Sequence, residues 1–181
     1  MSRVTLVGGG ARSGKSAFAL ARAQALGRRR AFIATAQALD DEMRTRIARH
    51  VKERGAAFST IEVPFDLPRA LAGLRDCDVA VIDCLTLWLS NLLMRGDGED
   101  RVAGDVEVLA GVLTEAPFHV VLVTNEVGMG VVPESALGRT FRDVAGRAHQ
   151  RLAAVAHELY FAAMGCIVRL RPGPVALEGR A

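Results

Sequence analysis

The chain has 181 residues, half of them apolar, with a net charge of +3 and only nine aromatic side chains. That length suits one domain with a full core and no disulfide or metal staple, and no apolar run approaches the ~20 residues of a membrane span. Weak charge and scattered aromatics give no platform for nucleic acid, while three widely spaced cysteines (Cys77, Cys84, Cys166) suggest buried free thiols, without a disulfide framework or a paired-thiol zinc site.

In chain order, "MSRVTLVGGG" runs straight into a strand-like segment, without the basic and apolar regions of a secretory leader, so the chain reads as cytoplasmic. The strand at 4–7 is followed by Gly9-Gly10-Ala11-Arg12-Ser13-Gly14-Lys15-Ser16 and then by an Ala-rich helix. This fits G-x-x-x-x-G-K-[ST] in the strand-to-helix context that gives the pattern its meaning. Glycines let backbone N–H groups curl around phosphate oxygens, and the helix N-terminus adds positive potential. Lys15 supplies a point charge and Ser16 a hydroxyl for Mg²⁺. A Gly-rich turn with a chance Lys-Ser is the plain alternative, and the register of strand, loop and helix weighs against it.

A second apolar run, "AFIAT" at 31–35, precedes "DDEMRTRIARHVKER". Acids at its start and bases at its end suit a helix dipole. At ~100° per residue, Met43, Ile47 and Val51 define an apolar arc. Arg46, His50 and Arg54 run along the margin of that arc, with Arg44, Thr45, Arg49, Lys52 and Glu53 toward the other side. A histidine ring is a candidate nucleophile here, and guanidinium groups one turn to either side of His50 can stabilise charge on phosphate oxygens. A half-buried histidine beside ion-paired arginines accounts for the same spacing.

"STIEV" is an expected edge strand. "VAVID", 79–83, places Asp83 at a strand's carboxyl end, where an acid can hold a metal's water shell near a phosphate loop. A turn-forming Asp, or an N-cap for the helix "CLTLWLSNLL", is the alternative. "RGDGEDR" at 95–101 is a polar break. "HVVLVT" at 119–124 leads to Thr124, Asn125 and Glu126, where open α/β sheets bind ligands, with Gly128 and Gly130 permitting close approach. An ordinary loop with Pro133 starting the next helix would look similar. Last, "ELYFAAMGCIVRLRP" reads as an antiparallel hairpin about Met164-Gly165 on one edge. "PGPVALEGRA" at 172–181 reads as a loose tail beyond a single domain of residues 1–171. Unalternating apolar strands separated by helices imply an α/β fold with a mostly parallel sheet sandwiched by helices. The residues alone describe a nucleotide-dependent enzyme or switch.

The segments "GGARSGKS", "IATAQALDDEMRTRIARHVKERG", "IDCLTLWLSNLL", "VLVTNEVGMGVVPES" and "GRTFRDVAGRAHQRLA" together resemble one family over nearly the whole chain and in the same order. It is the bifunctional adenosylcobinamide kinase / adenosylcobinamide-phosphate guanylyltransferase family of cobalamin biosynthesis, and "TNEVGMGVVPE" is far more specific than a phosphate loop. The resemblance implies a RecA-like P-loop fold that phosphorylates the aminopropanol hydroxyl of adenosylcobinamide. It then implies transfer of GMP from GTP to adenosylcobinamide phosphate through a guanylylated histidine, with ATP, GTP and Mg²⁺ as cofactors and a homotrimer as the assembly. The pattern R-I-x-x-H-x-x-x-R falls on Arg46, Ile47, His50 and Arg54, so the covalent role passes to His50; His119, His149 and His157 match no motif.

By the same resemblance the nucleotide is contacted at Gly9, Gly10, Ala11, Arg12, Ser13, Gly14, Lys15 and Ser16, at Ala34, Thr35 and Ala36, at Val51, Lys52, Glu53 and Arg54, and at Glu62 and Asp83. Lys15 joins His50 as a catalytic group, and Ser16 and Asp83 are the expected metal ligands. Two alternatives stand beside this reading: a single-function P-loop kinase for another small hydroxylated metabolite, in which His50 merely lines a pocket, and a nucleotide-dependent switch or assembly ATPase.

Overall fold

The structure, a computed structural model, describes residues 2–180; the side chains of Arg46, Arg49, Glu53, Arg54 and Arg180 lie outside that description. Eight strands form one sheet: β1 Val4–Gly9, β2 Arg30–Ala34, β3 Ser59–Glu62, β4 Val79–Asp83, β5 His119–Val123, β6 Glu158–Ala163, β7 Cys166–Arg171 and β8 Ala176–Arg180. Their order across the sheet is β3-β2-β4-β5-β1-β6-β7-β8. The first six in that order are parallel, and β7 and β8 are antiparallel to their neighbours. The helices are α1 Lys15–Leu26, α2 Asp41–Arg54, α3 Leu67–Ala72, α4 Leu85–Arg95, α5 Glu99–Glu115 and α6 Ala136–Val155.

Alternation along each strand divides the core in two. Ala80 and Ile82 of β4 and Val120 and Leu122 of β5 join Trp88, Leu109 and Leu152 under α3 to α6. Val79, Val81, Val121 and Val123 point the other way, toward Ala19 and Ala23 of α1. Burial on both faces is why these strands read as unbroken apolar runs. Each buried large side chain stabilises the fold by roughly 1.5–3 kcal/mol relative to exposure. Among the described residues, no helix is long and apolar enough to cross a membrane.

The expected parallel sheet, the β3 edge strand and the β6–β7 hairpin are all present. Several expectations need correction. The loose tail is instead a strand: after Pro172-Gly173-Pro174 the chain returns as β8, which pairs with β7 and forms the sheet's edge. Two prolines around a glycine mark a chain reversal as readily as an unstructured end. Asp83 is not an N-cap, since β4 runs through it and Cys84 takes that position for α4. Pro133 does not start a helix; α6 begins at Ala136, and the Ser135 hydroxyl accepts from the Gly138 N–H. All three cysteines are free, but only Cys84 is buried.

The apolar arc of α2 is the largest departure. Asp40 caps the helix by accepting from the Met43 N–H, as its acidic start suggests. Yet none of the described α2 side chains belongs to either half of the core, and Val51 is 49% exposed. Met43, Ile47 and Val51 face a cleft, so the arc that promised burial in the core opens on that cleft instead.

Candidate active site

The loop between β1 and α1 is shaped by two backbone demands. Gly9 has φ +154°, and a Cβ there would lie 2.4 Å from the carbonyl oxygen of Ala162, so only glycine fits. Gly14, with φ 94°, turns the chain into α1. Lys15 is buried, and its Nζ donates to the Gly10 carbonyl at 3.0 Å, which holds the ammonium over the loop. The buried Ser13 Oγ makes no hydrogen bond. A buried polar group without a partner costs roughly 1–3 kcal/mol, and a phosphate oxygen cradled by the loop would relieve it.

From this loop a cleft of about 1230 Å³ opens toward α2. The cleft brings together Arg12, Ser13, Gly14, Lys15 and Ser16 of the loop, Ala34 and Ala36 beyond β2, Glu62 of β3, Asp83 of β4, and His50 and Val51 of α2. Gly9 is buried beneath the loop, while Gly10 and Ala11 are exposed beyond the lining. Two further expected contacts fall outside the lining as well. Lys52 is exposed and outside the lining, and Thr35 is fully buried behind the wall. The side chains of Glu53 and Arg54, and of Arg46 one turn before His50, lie outside the described residues.

Thr35 instead ties two strand ends together. Its hydroxyl donates to the Cys84 carbonyl at 2.7 Å and accepts from the Cys84 N–H at 2.8 Å. Asn91, also buried, donates to the carbonyls of Thr35 and Pro64 at 2.8 and 2.9 Å. These polar links hold the carboxyl ends of β2 and β4 in fixed relation, and neither was legible, because a lone Asn in an apolar helix carries no signal of its partner. Burial, with the adjacent Asp83, pushes the Cys84 thiol up to about 11, so the cleft wall carries a neutral thiol.

Ser16 and Asp83 both line the cleft and offer the hard oxygen donors that Mg²⁺ prefers. Among the described residues no three His, Cys, Asp or Glu side chains converge on a metal position. Ions held by one or two protein oxygens complete their shell from nucleotide phosphates and water, so this donor set fits Mg²⁺ bound together with a nucleotide.

The end of β5 lies beside the loop's root: Thr124 N donates to Val7 O and Glu126 N to Gly9 O, each at 3.0 Å. Asn125, between them, lines the cleft. His149 of α6 contacts the Thr124 hydroxyl at 2.7 Å through Nε2, and its Nδ1 is 3.7 Å from a Glu126 carboxylate oxygen. Burial pushes the His149 pKa down while Glu126 opposes that shift.

A phosphate loop on β1 and an acidic end on β4, with β5 between them in a mostly parallel sheet, define a RecA-like P-loop α/β protein. In fold the chain is similar to the flagellar accessory protein FlaH from Methanocaldococcus jannaschii, with a TM-score of 0.51 and 11% identity, covering 98% of this chain and 78% of that one. It is also similar to the RadB recombinase, with a TM-score of 0.50 and 16% identity, covering 99% and 81%. The chain belongs to the cobinamide kinase / cobinamide phosphate guanyltransferase family, whose profile matches residues 5–170. It is 40% identical to the bifunctional adenosylcobalamin biosynthesis protein CobU of Salmonella typhimurium over 92% of this chain and 98% of the relative. It is 42% identical to the bifunctional adenosylcobalamin biosynthesis protein CobP of Pseudomonas aeruginosa over 94% and 98%.

Proposed function

We propose that this protein phosphorylates adenosylcobinamide and then transfers GMP from GTP to the product, giving adenosylcobinamide-GDP in cytoplasmic cobalamin biosynthesis. The observation that carries the reading is the single cleft that gathers Lys15 and Ser16, Asp83 and Glu62, and His50 in a chain of this family. The single-function kinase and the nucleotide switch both accommodate His50 in the cleft wall, but neither gives its ring a chemical role.

In the first reaction the aminopropanol hydroxyl attacks the γ-phosphorus of ATP or GTP, and the nucleoside diphosphate leaves. Catalysis here is chiefly positioning and charge stabilisation. The loop's N–H groups, the Ser13 hydroxyl and Lys15 hold the phosphate chain, with Gly9 to Ser16 as its cradle. In the second, His50 attacks the α-phosphorus of GTP; a P–N bond forms, the bond to the bridging oxygen breaks, and pyrophosphate departs. A phosphate oxygen of adenosylcobinamide phosphate then attacks the bound GMP, the P–N bond breaks, and His50 is restored. Two displacements divide one difficult step into two easier ones. Glu62, Ala34, Ala36 and Val51 line the nucleoside end. Mg²⁺, held by Ser16 and Asp83, would neutralise phosphate charge. A homotrimer is the proposed assembly, by analogy with the family.

Incubating purified protein with adenosylcobinamide, Mg²⁺ and either ATP or GTP tests the reading by product mass. Expected are the phosphate ester and, with GTP, the GDP derivative. Formation of the ester alone, with no GMP transfer under any nucleotide, would leave only the single-function kinase.

A further inference from the structure

The motif segment at the end of β5 is not used by the mechanism above, yet it is built into the site. The period-two alternation of a strand continues past Val123: Val121 and Val123 face the α1 side, Leu122 the α6 side. Thr124 and Glu126 therefore turn toward α6, where His149 meets both, and Asn125 turns back into the cleft. The backbone on either side of Asn125 is tied to the phosphate loop's strand through Val7 O and Gly9 O. Glu126 is fixed further, because its carboxylate accepts from the Gly128 N–H at 2.6 Å.

Asn125 is itself aimed. Its backbone N–H and its Nδ2 both donate to the Thr86 hydroxyl, at 3.2 and 3.0 Å. Among the described residues, the other Nδ2 hydrogen has only the Cys84 sulfur within reach, at 3.7 Å. A thiol is a weak acceptor, so this N–H is available to a stronger one. The same cleft carries Lys15 and Ser16, where a phosphate oxygen would be that acceptor.

We propose that Asn125 is a further catalytic residue, donating its second Nδ2 hydrogen to the phosphate chain of the bound nucleotide, and that His149 positions it through Thr124 and Glu126. The inference rests on the phosphoryl-transfer reading above. His149 touches no substrate; it hydrogen-bonds the Thr124 hydroxyl and faces the Glu126 carboxylate at 3.7 Å, and so fixes which way the carboxamide turns. Donors held in advance at developing charge lower the barrier more than they tighten ground-state binding.

Asn125→Ala is expected to lower kcat for phosphoryl transfer on the order of 100-fold, with KM for the nucleotide within about threefold. The isosteric Asn125→Asp, which keeps the packing and replaces the donor with an acceptor, falls at least as far. His149→Phe fills the same space without ring nitrogens and loses about tenfold in kcat, whereas His149→Gln, able to reach the Thr124 hydroxyl, recovers most of it. A residue needed only for packing would give the opposite order. Because His149 acts through Asn125, adding His149→Phe to Asn125→Ala lowers kcat no further. In ¹⁵N-labelled wild-type protein, Mg·nucleotide moves one Asn125 side-chain amide proton, a readout independent of turnover.

Wild-type protein that is inactive in this assay would count against the proposed function. Asn125→Ala at wild-type kcat beside an active wild type, or an unmoved Asn125 amide on nucleotide binding, would overturn the inference itself. An additive loss in the double variant would remove His149 from the positioning role.

Discussion

The phosphate loop and α2 share one cleft but are built in opposite ways. The loop is rooted in the sheet: Gly9 fits against Ala162, Lys15 is buried, and β1 is paired on both sides. Helix α2, which carries His50, places none of its described side chains in either half of the core, and its apolar arc opens on the cleft. The proposed phosphate cradle is thus built into the sheet. The proposed nucleophile rides on an element whose apolar arc opens on the cleft. A site divided this way can keep its nucleotide grip constant while chemistry moves from γ to α phosphorus.

The contrast can be broken at either half, most strongly at His50. His50→Ala is expected to abolish GMP transfer, by on the order of 10⁴-fold or more, since the nucleophile is gone, while phosphoryl transfer persists. Separate assays of the two reactions check this, and loss of both in a folded variant would contradict the division. Lys15→Ala acts on the shared half, so both rates should fall together, by on the order of 10²–10³. A Lys15→Ala variant that lost only one activity would show that the two reactions do not share one phosphate cradle.

Stability should divide along the same line. Thr35→Val leaves the buried Cys84 N–H without its partner behind the anchored wall, while the Cys84 carbonyl keeps the Trp88 N–H. A loss of about 1–3 kcal/mol in denaturant unfolding is expected, with the m-value unchanged. Val51→Ala on α2 removes half-exposed apolar surface facing the cleft. Its cost should stay within about 0.5 kcal/mol, as for other surface positions. A larger cost would mean that α2 is part of the cooperative core after all.

Much of the anchored half was legible in the sequence, because its signals are local. A strand, a glycine loop and a helix in succession carry the proposed phosphate site within a few residues, and Asp83 closes a strand whose burial on both faces makes it conspicuous. The sheet's unbroken apolar strands are equally plain. What stayed hidden depends on distant partners. An amphipathic period in α2 specifies that one face meets something apolar, but it is silent on whether that is a core or a cleft. Thr35 and Asn91 are ordinary polar residues until Cys84 and Pro64 are brought to them. β8 follows a Pro-Gly-Pro segment whose local chemistry says only that the chain turns. His149 matched no motif, and its role emerges only when α6 lays it against Thr124 and Glu126.

The account turns on a covalent step at the less anchored half, and GTP labelled at the α-phosphate tests it most directly. Incubation of the protein with this nucleotide and Mg²⁺, without the corrinoid, should leave acid-labile GMP bound to the protein. The label should vanish in His50→Ala and survive in variants of His119, His149 and His157. Absence of bound label in wild-type protein that is active in GMP transfer, or its persistence in His50→Ala, would contradict the assignment of the nucleophile.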